Sequence, residues 1–367
     1  MSLGAGVSKI SNIQHLRALA ALLVVFGHAV GAVDENVGDV AGPARLLSKG
    51  AQFGVDIFFV ISGFIMYHTS ARRFGAQGGS AHFIRRRIVR IVPIYWLVTL
   101  VSAALLIVVG KSATIGELLQ SLAFIPYDGD GEKMRPIVGV GWTLNFEMFF
   151  YAIFAIALLL PRTRGLAFIF GFLALMAALG SIFTPPPPAR AWTSPILLEF
   201  AIGVALGVLH ERFRPSLRLP VPALVPAIAV VILCCALPPS LAYGHGLDWQ
   251  IGWRPAPWIL AGAAVLSALA VPQSQDRTLF GKTATAIGDA SYSLYLVHGL
   301  TFAALNRVVG RVGLTADAPD FLAVAGYVLA AVATGWIVFK FVEQPATGAI
   351  DALASRRSPN KRRLKTS

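Results

Sequence analysis

The chain has 367 residues, 56% hydrophobic and only 13% charged, with a mean hydropathy of +0.69; this excludes an ordinary soluble domain and points to an integral membrane protein. Its 31 Lys and Arg against 18 Asp and Glu leave a charge of +13, but the basic residues lie between apolar runs, where they record topology. No basic motif with interleaved aromatics stands on a soluble segment, which argues against nucleic acid as a partner.

Runs of roughly 17 to 25 apolar residues predict membrane-spanning helices near 12–32, 51–69, 88–109, 142–160, 165–183, 194–210, 220–238, 256–271, 285–305 and 321–343. The expected fold class is an all-α integral membrane protein with ten helices in one bundle. An even number places both termini on one side, and most basic residues fall there too, making that side cytoplasmic. The first run is long enough to span and is followed by further spans, so it reads as helix one and not as a cleaved signal. Residues 1–345 are the transmembrane domain; 346–367, closing in SRRSPNKRRLKTS, read as a disordered basic tail near anionic lipid. The longer loops 110–141, 184–193 and 239–255 lie on the opposite side and are placed to shape an acceptor site. Pro185 to Pro188 predict a stiff extended turn. Cys234 and Cys235 are adjacent in an apolar run and read as packing residues. No internal repeat is visible.

In the first span Arg17 and His28 stand eleven residues apart, which at about 100° and 1.5 Å per residue puts them on nearly one helix face, roughly 16 Å apart. An ionisable pair at membrane depth is costly unless used. A phosphate held at Arg17 and a carbonyl reacting near His28 would suit an elongated phosphorylated donor, and acyl coenzyme A has that shape. The plain alternatives are that Arg17 snorkels to the interface and that His28 bonds a neighbouring backbone group. Asp56 in FGVDIFFVISGF is a carboxylate in an apolar run and a candidate to orient His28; Gly54 and Gly63 permit close helix contact beside it.

Arg85, Arg86, Arg87 and Arg90 crowd the start of the third span. Arg87 with Arg90, or Arg86 with Arg90, would make a fork for phosphate, with topogenic charge as the alternative. Glu147 in GWTLNFEMFFY needs a partner or a task, and with Thr143 and Tyr151 it forms a polar stripe that must face the bundle interior. A structural ion pair with an arginine is the other reading. In the ninth span Ser291, Tyr295 and His298 share a face, with Asp289 and Tyr292 beside them, forming either a substrate channel or a hydrogen-bonded helix seam. Glu343 ends the tenth span as a cap or an arginine partner. No metal site is indicated.

These segments together resemble the acyltransferase 3 family of membrane acyltransferases, and most closely its exopolysaccharide O-acetyltransferase branch. The resemblance is carried, in order, by LRALAALLVVFGH, FGVDIFFVISGF, RRRIVRIVPIYW, GWTLNFEMFFY, EFAIGVALG, GDASYSLYLVH and the closing VEQP. It implies ten helices in a bacterial cytoplasmic (inner) membrane, acetyl-CoA or another acyl coenzyme A as donor on the cytoplasmic side, no metal, and a glycan or lipid-linked oligosaccharide as acceptor. Membrane lipids and polysaccharide-assembly proteins are the further partners implied. By position His28 matches the family's essential histidine and Arg17 its motif arginine. Arg87 and Arg90 match the paired arginines, and Trp142 and Glu147 the tryptophan and glutamate of the fourth helix.

The mechanism expected has Arg17, Arg87 and Arg90, with Arg86 and Trp142 nearby, holding the donor. Neutral His28 deprotonates a sugar hydroxyl, Glu147 or Asp56 stabilises the imidazolium, and Trp142 or Tyr292 faces the developing oxyanion, with direct transfer and a transient acyl-histidine both open. Tyr151, Ser291, Tyr292, Tyr295 and His298 line the substrate channel. The rival from another class is a transporter or flippase using the same buried charges as a pathway; within enzymes, the rival acceptor is a small secondary metabolite.

Overall fold

The computed structural model describes residues 10–111, 113–128, 135–183, 185–213, 255–270, 278–312 and 320–356. Among them the chain is all helical, with no strand. In chain order the helices are α1 (Ser11–Asn36), α2 (Gly42–Ser48), α3 (Phe53–Ser70), α4 (Gly79–Val108), α5 (Ile115–Leu122), α6 (Trp142–Ala157), α7 (Arg162–Ile182), α8 (Ala189–Trp192), α9 (Leu198–Phe213), α10 (Pro255–Ala270), α11 (Leu279–Val312), α12 (Asp320–Val338) and α13 (Gln344–Arg356).

Helices occupy nine of the ten expected positions; 220–238, Cys234, Cys235 and the loop up to 254 lie outside the described residues. Six helical segments are long and apolar enough to cross a membrane: 11–36, 42–73, 79–108, 139–157, 162–182 and 320–350. Six of the ten expected spans thus coincide with such segments among the described residues. α9 and α10 have 16 residues each, about 24 Å of helix against a hydrocarbon core of about 30 Å. α11 runs for 34 residues, well beyond the expected 285–305, and carries polar groups along one side.

Two other boundaries differ from expectation. α4 begins at Gly79, after Gly78 at φ +72°, and not near 88; arginine is a good helix former, so the helix runs through Arg85 to Arg90 before the apolar stretch starts. The tail expected from 346 is helical as far as Arg356, because α12 passes through a π-helical turn, Phe339–Glu343, directly into α13. That turn carries the buried Glu343 to face α11, where it accepts a hydrogen bond from Ser293 Oγ at 2.5 Å. Glu343 therefore closes no helix. It is held inside the bundle, and π turns of this kind often mark functional sites.

α3 is the most enclosed apolar helix: 14 of its 18 residues are buried, against 4 of 21 in α7. It packs most extensively on α9, while α1 packs on α11 and α11 on α12. The α3–α9 crossing depends on two glycines, since a Cβ on Gly63 would sit 2.1 Å from the Phe200 carbonyl oxygen and one on Gly203 2.1 Å from that of Val60. Small residues let backbones approach this closely in lipid, where packing drives helix association. At one end of this pair Arg162 and the Tyr67 hydroxyl both donate to Glu211, tying α7, α3 and α9. Outward-facing apolar side chains such as Leu100, Ile107, Val108, Leu175 and Leu329 are exposed, as lipid-facing positions should be.

Gly203→Leu forces the α3 and α9 backbones apart and is expected to cost about 1–3 kcal/mol by overpacking. Gly326→Leu, with nothing within 4 Å of the added Cβ, is expected to be neutral or slightly stabilising. Thermal unfolding of both variants in detergent checks this; equal midpoints would show that the glycine crossing is not what holds the pair.

Candidate active site

The site is built on α1 and α11, which lie side by side so that the arginine end of α1 meets Ser291 and its histidine end meets His298. Their approach is closest at Gly288, where a Cβ would come within 2.1 Å of the Gln14 carbonyl oxygen. Arg17 donates from Nη2 to Ser291 Oγ at 2.8 Å and from Nη1 to Gln14 Oε1 at 3.3 Å. From α4, Arg87 is buried with its guanidinium 5.7 Å from the Phe83 ring centroid and 5.9 Å from that of Tyr151. Its Nε has no hydrogen-bond partner, an uncommon state for a buried charge. From α6, Glu147 Oε1 accepts from Ser62 Oγ at 2.9 Å and from the Tyr151 hydroxyl. Arg17, Arg87, Arg90, Ser62, Glu147, Tyr151, Ser291 and Tyr292 wall one cavity of about 110 Å³, room for about four waters at about 30 Å³ each. Glu343 lies within electrostatic reach of Arg17 and Arg90, so the cavity collects three guanidinium groups near two carboxylates.

His28 belongs to a second, larger cavity of about 920 Å³, walled also by Trp142, His298, Gln52 and Arg135. Val55 and Tyr295 line both cavities and mark the neck where the two adjoin. The Tyr295 hydroxyl is 3.1 Å from Thr143 Oγ1 and 3.2 Å from the Val140 carbonyl oxygen, which fixes the ring in the neck.

At the far side of the neck His28 Nδ1 lies 3.0 Å from His298 Nε2, with the rings stacked at 5.0 Å and 22°. His298 is buried and its Nδ1 lies 3.2 Å from the Leu294 carbonyl oxygen. A carbonyl only accepts, so His298 Nδ1 carries the proton and its Nε2 is an acceptor. His28 Nδ1–H then donates to it, which leaves the lone pair of His28 Nε2 available. His28 itself is exposed to the cavity.

The structure sorts the residues singled out in the sequence into groups. Arg17, Arg87, Arg90, Glu147, Tyr151, Ser291, Tyr292 and Tyr295 come together at the first cavity; His28, Trp142 and His298 meet at the second, with Tyr295 shared. Five expectations change. Trp142 packs edge-on to Phe59 and Phe146 on the His28 side of the neck, away from the arginines. Arg86 is exposed and lines neither cavity, so the fork on α4 is Arg87 with Arg90, one turn apart. Glu147 lies about a turn and a half beyond Trp142 along α6, on the arginine side, so it is not placed to hold an imidazolium at His28. Asp56 is fully buried near the start of α3 and lines neither cavity, and the ring that His28 meets is His298. Tyr292 is also committed elsewhere, its hydroxyl donating to the Ile91 carbonyl at 2.7 Å.

Ser62 and the pairing of the two histidines were missed by sequence reasoning. Ser62 was detectable as a lone hydroxyl in an apolar run. The histidine pair was not, because 270 residues separate its members. Among the described residues no group of three or more His, Cys, Asp or Glu is placed to hold a metal ion.

Comparison with known proteins bears on this geometry. The profile of the acyltransferase domain family matches residues 10–340. The exopolysaccharide production protein ExoZ of Rhizobium meliloti (strain 1021) is 35% identical over 298 residues, covering 80% of this chain and 88% of the relative. BcsY of Komagataeibacter xylinus, named as a candidate membrane-bound transacylase, is 27% identical over 305 residues, covering 78% of this chain and 71% of the relative. No solved structure matches the chain.

Glu147→Ala leaves two hydroxyls and the neighbouring guanidinium groups without their carboxylate, with an expected loss of about 3 kcal/mol; Tyr151→Phe deletes a single bond to a charged acceptor and should lose about 1.5 kcal/mol. Melting temperatures in detergent rank the two, and the reverse order would show that Glu147 is not the hub of this cavity.

Proposed function

The chain belongs to the acyltransferase domain family, and we propose on that footing that it is an integral-membrane O-acyltransferase moving a short acyl group, acetyl first, from acyl coenzyme A to a hydroxyl of an exopolysaccharide or other cell-surface glycan, or of its lipid-linked precursor. The observation that carries the reading is the pair of cavities meeting at Val55 and Tyr295, one holding guanidinium groups and the other a histidine with a free lone pair. The family membership disfavours a transporter built on the same charges. The name of the ExoZ relative supports a polysaccharide acceptor and with it polysaccharide-assembly proteins as partners. Six apolar helices and the basic residues at the arginine end support a bacterial inner membrane with that end in the cytoplasm.

Coenzyme A as donor rests on the arginine cavity. The unpartnered Nε of buried Arg87 and the facing guanidinium groups of Arg17 and Arg90 fit phosphate oxygens. About 110 Å³ admits a slender portion of such a donor and not the whole, so its nucleotide would remain at the mouth while the acyl-bearing arm reaches the neck. Glu147, bonded by Ser62 and Tyr151, balances the charge of the arginine set.

Chemistry follows at the neck. His28 Nε2 takes the proton of the acceptor hydroxyl as its oxygen forms a bond to the thioester carbonyl carbon. The carbon–sulfur bond then breaks, and the proton passes from His28 to the departing thiolate, giving an ester and free coenzyme A. His298 holds the ring and its tautomer, and as the acceptor of the His28 Nδ1–H bond it stabilises the imidazolium that forms.

Membranes supplied with acetyl-CoA and an exopolysaccharide extract should release thiol and form glycan ester in equal amounts. His28→Ala should reduce turnover about 10²- to 10⁴-fold with the fold retained, and normal activity in that variant would end the scheme. His298→Phe is expected to lower kcat at least about tenfold and displace the pH–rate profile while KM for acetyl-CoA is kept. Arg87→Lys should instead raise KM for acetyl-CoA, because a point charge lacks the bidentate fork; an unchanged KM would return the arginine to topology.

A further inference from the structure

The cavity at the His28 end is unusually basic for its place. Lys49 from the turn between α2 and α3, Lys111 after α4, Arg135 before α6 and Arg307 from α11 converge on it from four separate segments, opposed among the described lining residues by Glu35. All four cations are exposed to the cavity, and none makes an ion pair with a described residue. By contrast Arg45, on the same face but outside the cavity, is paired with Asp34. Arg135 lies within electrostatic reach of the His28 ring.

Topology does not account for this cluster. The basic bias of membrane proteins falls on the cytoplasmic side, and these residues sit at the opposite end of the bundle from the arginine cavity. Cations without an ion-pair partner among the described residues, held around an open volume of about 920 Å³, repel one another, and an anion entering that volume relieves the repulsion. That volume is at the upper end of ligand sites, roughly 300–1,000 Å³, large enough for several sugar units.

Resting on the reading of this cavity as the acceptor site, we propose that the acceptor is an anionic glycan, one with carboxylate or phosphate oxyanions a few sugar units at most from the hydroxyl that receives the acyl group. Lys49, Lys111, Arg135 and Arg307 hold those oxyanions at the cavity wall and so fix which hydroxyl reaches His28 Nε2. Two sources supply the chemistry: acidic sugars within the glycan, or the diphosphate joining a glycan to a polyprenyl lipid.

The test is binding to the full chain in detergent or nanodiscs, using His28→Ala protein so that no transfer intervenes. Three probes are compared: a neutral oligosaccharide, an oligoglucuronate of the same length, and the neutral oligosaccharide carried on polyprenyl diphosphate, with free polyprenyl diphosphate as its reference. An anionic probe is expected to bind about tenfold more tightly than the neutral one in about 50 mM salt, the gap closing in about 500 mM. Arg135→Gln and Arg307→Gln should each remove several-fold of that preference, and Arg45→Gln none. Preference for oligoglucuronate places the charge on the sugars. Preference confined to the lipid-linked probe, above that of the free polyprenyl diphosphate, places it at the anchor. Equal binding of neutral and anionic glycans, or a preference untouched by Arg135→Gln and Arg307→Gln, overturns the inference. Wild-type thiol release is followed in parallel: transfer without anion preference defeats this inference alone, whereas anion preference with no transfer from any acyl donor defeats the acyl-transfer reading.

Discussion

Every polar group inside an apolar bundle must find its partner within the protein or line a water-filled space, because lipid offers none. That constraint organises this molecule. Arg17, Arg87, Arg90 and Glu147 do not scatter through the core; they gather around one cavity, where Ser291 accepts from Arg17, Ser62 and Tyr151 donate to Glu147, and Arg87 keeps an unpartnered Nε. The π turn before α13 adds Glu343 to the same neighbourhood. His28 and His298 satisfy one another at the other side of the neck. The helices between them are almost wholly apolar, and α3 in particular is held by glycine contacts that need no polar group at all.

Much of this was legible from residues alone. Strong apolar runs located the helices, since length and hydrophobicity are what lipid requires, though α4 and α11 extend well past their apolar runs. The Arg17–His28 spacing identified the helix that serves both cavities, and the costliness of a membrane carboxylate singled out Glu147. The boundaries that went wrong are those where hydropathy and helicity separate: α4 continues through arginines, and α12 continues through a charged π turn into a segment read as a tail. The site roles that changed did so for one reason. Spacing along a helix fixes a face but not which neighbour that face meets, so His28 was given Asp56 or Glu147 as a partner when the ring against it comes from α11.

The division into two cavities gives the residues distinct tasks. On the proposed reading a donor carrying phosphates goes to the guanidinium groups and the acceptor to His28 and the cations around it, and placing these at opposite ends of one neck would let the reacting atoms meet between Val55, Tyr295 and His28. Family membership and the similarity to an exopolysaccharide production protein agree with that use of the space.

On the proposed reading, donor and acceptor approach the neck from opposite faces of the membrane. Sealed proteoliposomes holding a competent glycan acceptor inside, with acetyl-CoA supplied only outside, test it directly. Ester appearing on the enclosed acceptor, with free coenzyme A released outside, is the predicted result. Transfer seen only when donor and acceptor share one compartment would contradict it.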